Sequence, residues 1–338
     1  MKLKSLLASV AVAALATTAQ AAEVELSLSH WVGAQHPLQP GGMEPWVESI
    51  REASEGRIEI TIFPAQQLGA AADHYDMARD GVVDIAFINP GYQPGRFPII
   101  AAGEIPFTIS NANAGSRAFD EWYREYAADE MKDVHFCITH LHDPGTLHGV
   151  NGPIQVPDDL KGKSIRPAHG TMARMLNHIG AASVFAGAAE MRELLARGAA
   201  EMSASPWGSI FTFGAQDLTK HHLDMPFYVT TFAFVFNKGV YEGLSPENRK
   251  VIDDHCNPES AEKMAAKWVE NEAKGRQRMI DEGHTLYKPT DDEVQLWMEA
   301  ASPLRNEWKE TVNKAGGDAD AIWQRLEDTL AKYDSRVK

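Results

Sequence analysis

Glu23 to Ser29 reads EVELSLS, an alternation of polar and apolar positions that predicts a strand with one face buried. Arg57 to Phe63, RIEITIF, alternates in the same way and stops at Pro64. Asp84 to Ile88 is a short apolar run that ends at Asn89-Pro90-Gly91. Between these runs, Pro45 to Ala53 carries Trp46, Val47 and Ile50 at helical spacing, and Ala72 to Asp80 is again helical. The β-α-β-α-β order predicts a parallel sheet with helices on its faces. Ligands of open α/β sheets bind beyond the carboxyl ends of the strands. Here those ends fall at Ser29-His30-Trp31, Pro64 to Gln66 and Asn89 to Tyr92.

The same alternation of elements returns near Val150. Lys163 to Arg166 is strand-like, Met172 to Ile179 helical and Ser183 to Phe185 a short strand; Ala189 to Arg197 is helical and Ala200 to Ser203 a further strand. Phe232 to Asn237, FAFVFN, is an apolar strand that reads as a crossover between two lobes. After Leu244 the pattern is almost wholly helical: Pro246 to Cys256, Ser260 to Glu282, Asp291 to Ala315 and Asp318 to Lys332. Met264, Trp268 and Met279 stand among many charges in the longest of these, as expected of a helix lying across two lobes.

Candidate chemistry gathers at the predicted strand ends. Arg166 closes a strand directly before Pro167, where a guanidinium can offer a carboxylate two parallel hydrogen bonds. By its local pattern alone, Arg166 reads as a surface charge beside a turn. Trp31, Tyr92, Trp207 and Phe232 fall at strand ends or on the crossover, where their faces would stack on an apolar or planar solute. His30, His36 and Asn89 are possible polar contacts, and Arg96 reads as a structural loop residue. His140/His142 and His221/His222 lack zinc-motif spacing and HExxH is absent, so no metal is expected and these read as solvated or structural histidines. No G-x-S-x-G elbow, P-loop or GxGxxG follows a strand, and no cofactor is expected.

The N-terminus adds a compartment. Lys2 and Lys4, the apolar run Leu6 to Ala16, and Ala19-Gln20-Ala21 together read as a cleaved secretory leader over residues 1–21, which places the mature chain in a periplasm. Removing it leaves 30 basic against 47 acidic side chains, a net charge near −17. That balance argues against nucleic acid or an anionic membrane surface as partner. It also sharpens interest in any Arg that faces a crevice. Cys137 and Cys256 are open to pairing in an oxidising compartment, but the sequence does not say whether they approach.

Six segments, in order, resemble one family. They are EGRIEITIFPAQQLG (Glu55 to Gly69), ARDGVVDIAF (Ala78 to Phe87), IPF (Ile105 to Phe107), VPDDLKGKSIRP (Val156 to Pro167), GAAEMRELLARG (Gly187 to Gly198) and FNKGVYEGLSPENRKVI (Phe236 to Ile252). The chain resembles the dicarboxylate-type solute-binding subunit of a tripartite ATP-independent periplasmic (TRAP) transporter. The resemblance implies an α/β, two-lobed periplasmic binding protein of type II-like form, with a long helix spanning both lobes and a helical C-terminal region. It divides the chain into residues 22–147 with 234–270, and 148–233 with 271–338. It further implies hinge closure on a small organic anion, a monomer, and delivery to ion-driven membrane permease subunits, with no insertion of this chain into the membrane. Arg166 would grip the carboxylate, Asn237 donate from the opposite wall, and Glu190 bind a hydroxyl or order Arg166. A ligand sensor for a receptor kinase and a secreted hydrolase are the alternatives.

Two departures concern specificity. The family commonly has an acid and a glycine after the Gly198 position and then an Asn-Pro pair; here the segment is AAEMSASPW (Ala199 to Trp207). A basic residue common before the Pro-x-Asp-Leu turn is missing from Gly149 to Gln155. One Arg with several aromatics fits a ring-bearing or bulky monocarboxylate better than a four-carbon diacid.

Overall fold

The computed structural model describes residues 22–338, so the leader reading of residues 1–21 lies outside the described residues. Strands β1 (Val24–Ser29), β2 (Ile58–Phe63), β3 (Ile85–Ile88) and β4 (Val134–Leu141) come first. They are followed by β5 (Thr146–Gly149), β6 (Ser164–Arg166), β7 (Ala182–Ser183) and β8 (Met202–Ser205). Next come β9 (His221–Leu223), β10 (Thr231–Asn237) and β11 (Thr285–Tyr287). They build two sheets, ordered β2-β1-β3-β10-β4 and β11-β9-β5-β8-β6-β7.

The expected parallel core of the first sheet is present: β1 runs parallel to β2 and to β3. Ile58 and Ile60 of β2 face inward while Glu59 and Thr61 are exposed, which is the alternation that marked the strand. Central β3 is buried along its whole length, so it reads as an unbroken apolar run. The crossover strand β10 is antiparallel to both β3 and β4. That direction brings Phe232 beside the carboxyl end of β3, with Asn237 at the opposite end of the sheet.

In the second sheet β6 is parallel to β7 and β8, with Arg166 paired to Ser203, and β5 is antiparallel to β8 with Thr146 beside Ser205. Two short segments, between β4 and β5 and between β9 and β10, carry the chain from one sheet to the other. They are tied together by backbone hydrogen bonds, Gly145 N–H to Tyr228 O at 2.8 Å and Phe227 N–H to Gly145 O at 2.9 Å.

The long helix Pro258–Asp281 supplies a third link. Its buried residues Ala261, Met264, Ala265, Trp268, Glu272, Gly275 and Met279 recur every three or four positions and form one stripe. Its first half lies on the helix Asn113–Tyr123 and on β4, and its second half on the helix Trp207–Thr212. A Cβ at Gly275 would sit 2.3 Å from the Gly208 nitrogen, so the absence of a side chain there sets how closely those two helices cross.

Several expectations change. The single helix expected over Asp291 to Ala315 is two, Asp291–Ala301 and Pro303–Lys314, because Pro303 has no N–H to continue the first. The helix Asn113–Tyr123 has no counterpart in the sequence reading, although its buried Gly115, Ala118, Phe119 and Trp122 recur at helical spacing opposite Asn113, Arg117 and Glu121. The boundary drawn after residue 233 falls inside β10, which hydrogen-bonds wholly within the first sheet. Helix Ala319–Lys332 packs on Asn113–Tyr123 beside the first sheet, with Trp122 Nε1–H donating to Ile322 O at 3.1 Å. The C-terminus therefore returns to the lobe it was not assigned to. Cys137 on β4 and Cys256 are joined in a disulfide with Cα atoms 4.7 Å apart, which resolves the open pairing.

Candidate functional site

The carboxyl ends of β3, β6 and β8 and the start of β10 converge on one cleft between the sheets. Arg166 and Ser205 come from the second sheet, Asn89 and Phe232 from the first, and Trp268 from the long helix. His142, Tyr228 and Thr230 come from the two crossing segments. The hinge itself therefore forms part of the site wall.

Arg166 is 3% exposed. Its Nε donates to Ala186 O at 3.1 Å, Nη1 to Ala204 O at 3.1 Å and Nη2 to the Tyr92 hydroxyl at 3.2 Å. A guanidinium has five N–H groups. The three bonds leave one N–H on each terminal nitrogen free to donate to a carboxylate. All three acceptors are neutral, and among the described residues lining the cleft there is no Asp, Glu or Lys. A buried charge without an ionic partner is costly, and an anion entering the cleft removes that cost.

The neighbouring polar groups orient this fork and leave it donor-rich. Tyr92 also accepts from Ala188 N–H at 2.9 Å, so its two acceptor positions are filled and its own O–H remains to donate. Because Tyr92 follows β3 while Arg166 and Ala188 belong to the second lobe, this phenol bridges the cleft. His142 Nδ1 donates to Asp143 O at 2.8 Å, which leaves Nε2 to accept from Thr230 Oγ1–H at 2.8 Å. Burial pushes His142 down to about 3, so the ring is neutral and adds no positive charge. Asn89 Oδ1 accepts from Gly91 N–H at 2.9 Å and fixes the turn after β3.

Apolar faces fill the rest. Trp31 stacks on Phe87 with centroids 5.5 Å apart and tilts against Tyr92 and Phe232. Trp268 meets Phe232 at 5.2 Å and His142 edge-on at 5.6 Å, and Phe213 closes the far side. Trp268 Nε1–H donates 2.6 Å to Glu272, which also accepts from Ser209 Oγ–H at 2.6 Å, Ser209 N–H and Gly208 N–H. Burial pushes this carboxyl up to about 7 against the pull of those four donors. Glu272 thus pins the cleft-facing Trp268 and Ser209 together from behind.

Five of the nine residues singled out in the sequence meet here: Arg166, Tyr92, Trp31, Phe232 and Asn89. Four do not. Asn237 caps a helix at the other end of β10, its oxygen accepting from Val240 N–H and its amide donating to Ala78 O. The antiparallel direction of β10 moves it there. Glu190 is exposed and accepts from Gly187 N–H at 2.9 Å, closing its own turn. Trp207 begins a helix whose first side chain folds back onto the second lobe, against His148 and His222, while Ser205 and Pro206 stay at the cleft. His30 bonds to the Gln39 side chain behind Trp31, and burial lowers it to about 4. Arg96 is held by Asp76 at 2.8 Å, the structural role expected of it.

The residues that sequence reasoning missed are Tyr228, Thr230, His142, Phe213, Ser205 and Trp268. Trp268 was marked only as one apolar residue of the long helix, His142 only as one of a pair read as solvated or structural, and Ser205 only within the AAEMSASPW departure. The departure at AAEMSASPW divides in two. Glu201 faces away from the cleft and pairs with Lys163 at 3.0 Å, whereas Ser205 and Pro206 line it.

Comparison with known proteins shows the family and the fold. Residues 28–311 match the model of bacterial extracellular solute-binding protein, family 7. The chain belongs to this family. A TRAP solute-binding protein from Rhodoferax ferrireducens, solved with copurified benzoate, is 30% identical with a TM-score of 0.87, over 92% of this chain and 98% of that one. A marine metagenome TRAP solute-binding protein specific for aromatic acid ligands, solved with 3-hydroxybenzoate, is 31% identical with a TM-score of 0.86, over 93% of this chain and all of that one. The outer membrane transporter protein TsaT of Comamonas testosteroni is 26% identical over 90% of this chain and 91% of its own length. This TRAP solute-binding protein is thus a transport component that takes a small organic acid into the interlobe cleft. Among its described residues no helix is long and apolar enough to cross a membrane.

Proposed function

We propose that this TRAP solute-binding protein captures an aromatic monocarboxylate in the periplasm and hands it to ion-driven permease subunits. The observation that carries the substrate class is the composition of the cleft. One buried guanidinium with two uncommitted N–H groups faces Trp31, Phe232, Trp268, Phe213 and Tyr228, and among the described residues no second Arg or Lys lines the space. A diacid would leave its second carboxylate desolvated against aromatic faces, a loss of several kcal/mol that a ring avoids. The bound benzoate and 3-hydroxybenzoate of two relatives support the same class. Delivery to a permease rests on the family, and periplasmic residence on the leader read in residues 1–21.

A thermal-shift and calorimetric screen tests this reading. Benzoate and hydroxybenzoates are expected to stabilise the protein, and succinate and malate are not. Stabilisation by the diacids alone would overturn it. Mass spectrometry of ligand copurifying with the native protein would name the solute.

A further inference from the structure

Tyr228 carries a feature that the fold does not explain. It is 1% exposed and lines the cleft, yet its hydroxyl has no hydrogen-bond partner. A buried phenol left unpartnered is destabilising, so its retention points to a partner that arrives from outside the chain. The ring is held in place firmly. It lies edge-on to His142 and His169, and its backbone is bonded to Gly145 in the hinge. Gly145 is what admits it: a Cβ there would lie 2.8 Å from the Tyr228 hydroxyl oxygen and 3.0 Å from the Pro206 nitrogen. The hydroxyl therefore sits against the end of β8, two residues from Ala204, whose carbonyl holds Arg166.

We propose that Tyr228 is the second anchor of the ligand's carboxylate, its O–H donating to an oxygen that Arg166 grips from the other side. Burial raises the phenol well above its ordinary range, so it acts as a donor at any physiological pH. The carboxylate then joins a strand end of the second lobe to the hinge, so occupancy is felt directly where the lobes pivot. This inference rests on the reading of the cleft as a carboxylate site.

Calorimetric titration of benzoate and 3-hydroxybenzoate into the wild type and Tyr228→Phe tests it. The variant keeps the ring and loses only the hydroxyl. Its dissociation constant is expected to rise roughly tenfold to a hundredfold for both acids, the usual effect of losing a hydrogen bond to a charged group. The melting temperature of the ligand-free protein should be unchanged or higher. Binding within twofold of wild type by Tyr228→Phe, with weak binding by Tyr228→Leu, would reduce the residue to packing and overturn the proposal. A loss confined to 3-hydroxybenzoate would assign the phenol to the ring hydroxyl and also overturn it. Failure of the wild type to bind any carboxylic acid would remove the reading of the site itself, and this inference with it.

Discussion

A guanidinium that is buried, fixed by three neutral oxygens and left with two free N–H groups is built to wait for an anion. Arg166→Ala should therefore weaken binding of the acid by roughly 2–5 kcal/mol in calorimetric titration while changing the folding midpoint little. Near-normal affinity in that variant would contradict the assignment. Tyr92→Phe should cost less, since the aromatic face stays and only the hydroxyl that joins Arg166 to Ala188 N–H is lost. At this scale the sequence was informative where residue type and chain position sufficed. Trp31 and Tyr92 follow strands, and Arg166 closes one, that alternation or a short apolar run marks in the sequence, and carboxyl ends of strands face the cleft. Tyr228 and Thr230 follow no strand and sit on a crossing segment whose path depends on both sheets, so nothing local marked them.

At the scale of elements, close approach of helices and one covalent tie hold the lobes in register. Gly275 and Gly208 allow the long helix and Trp207–Thr212 to touch backbone to backbone. Gly275→Ala is expected to push them apart and destabilise the fold by about 1–3 kcal/mol, measurable by urea denaturation. Unchanged stability would mean that the crossing is looser than it looks. The Cys137–Cys256 bond spans 119 residues of chain, so replacing both with Ser should lower stability by roughly 2–5 kcal/mol. Helices and strands with one exposed face were legible, from β2 to the long helix. Asn113–Tyr123 was passed over although it is amphipathic too: its buried Gly115, Ala118, Phe119 and Trp122 stand at helical spacing opposite Asn113, Arg117 and Glu121.

For the molecule as a whole, pH dependence follows from which groups are buried uncharged. Burial holds His30, His36, His135, His140, His142, His148 and His222 at about 2 to 4. His148 and His222 are hydrogen-bonded at 2.7 Å, and His222 and His284 at 2.9 Å, so a proton on one repels the next. Groups depressed in this way stabilise the fold above about 6.5, and that contribution is lost as pH falls below it. Asp120 at about 6 and Glu130 and Glu272 at about 7 act in the opposite sense. They are raised, so their contribution is present in acid and lost as pH rises through 6 to 7. Seven histidines outweigh three carboxyls, so the melting temperature should fall between pH 7 and pH 5 by calorimetry; a rise would show that the carboxyls dominate. Closure should also respond to solute, with a smaller radius of gyration in solution scattering when the acid is bound.

The sequence by itself determined the α/β class, both sets of strand ends, the long bridging helix, the family and the position of Arg166. Each of these depends on local alternation, helical spacing or short motifs that neighbouring residues settle among themselves. Tertiary structure decided the direction of β10, which sends Phe232 into the cleft and Asn237 to the far edge. It also decided that Trp207 turns into the second lobe's core, that the two cysteines meet, and that Tyr228 is pressed against Gly145 beside the β8 end. These outcomes depend on contacts between residues far apart in the chain. One-dimensional spacing carries no record of which end of a strand, or which side of a turn, will meet another lobe.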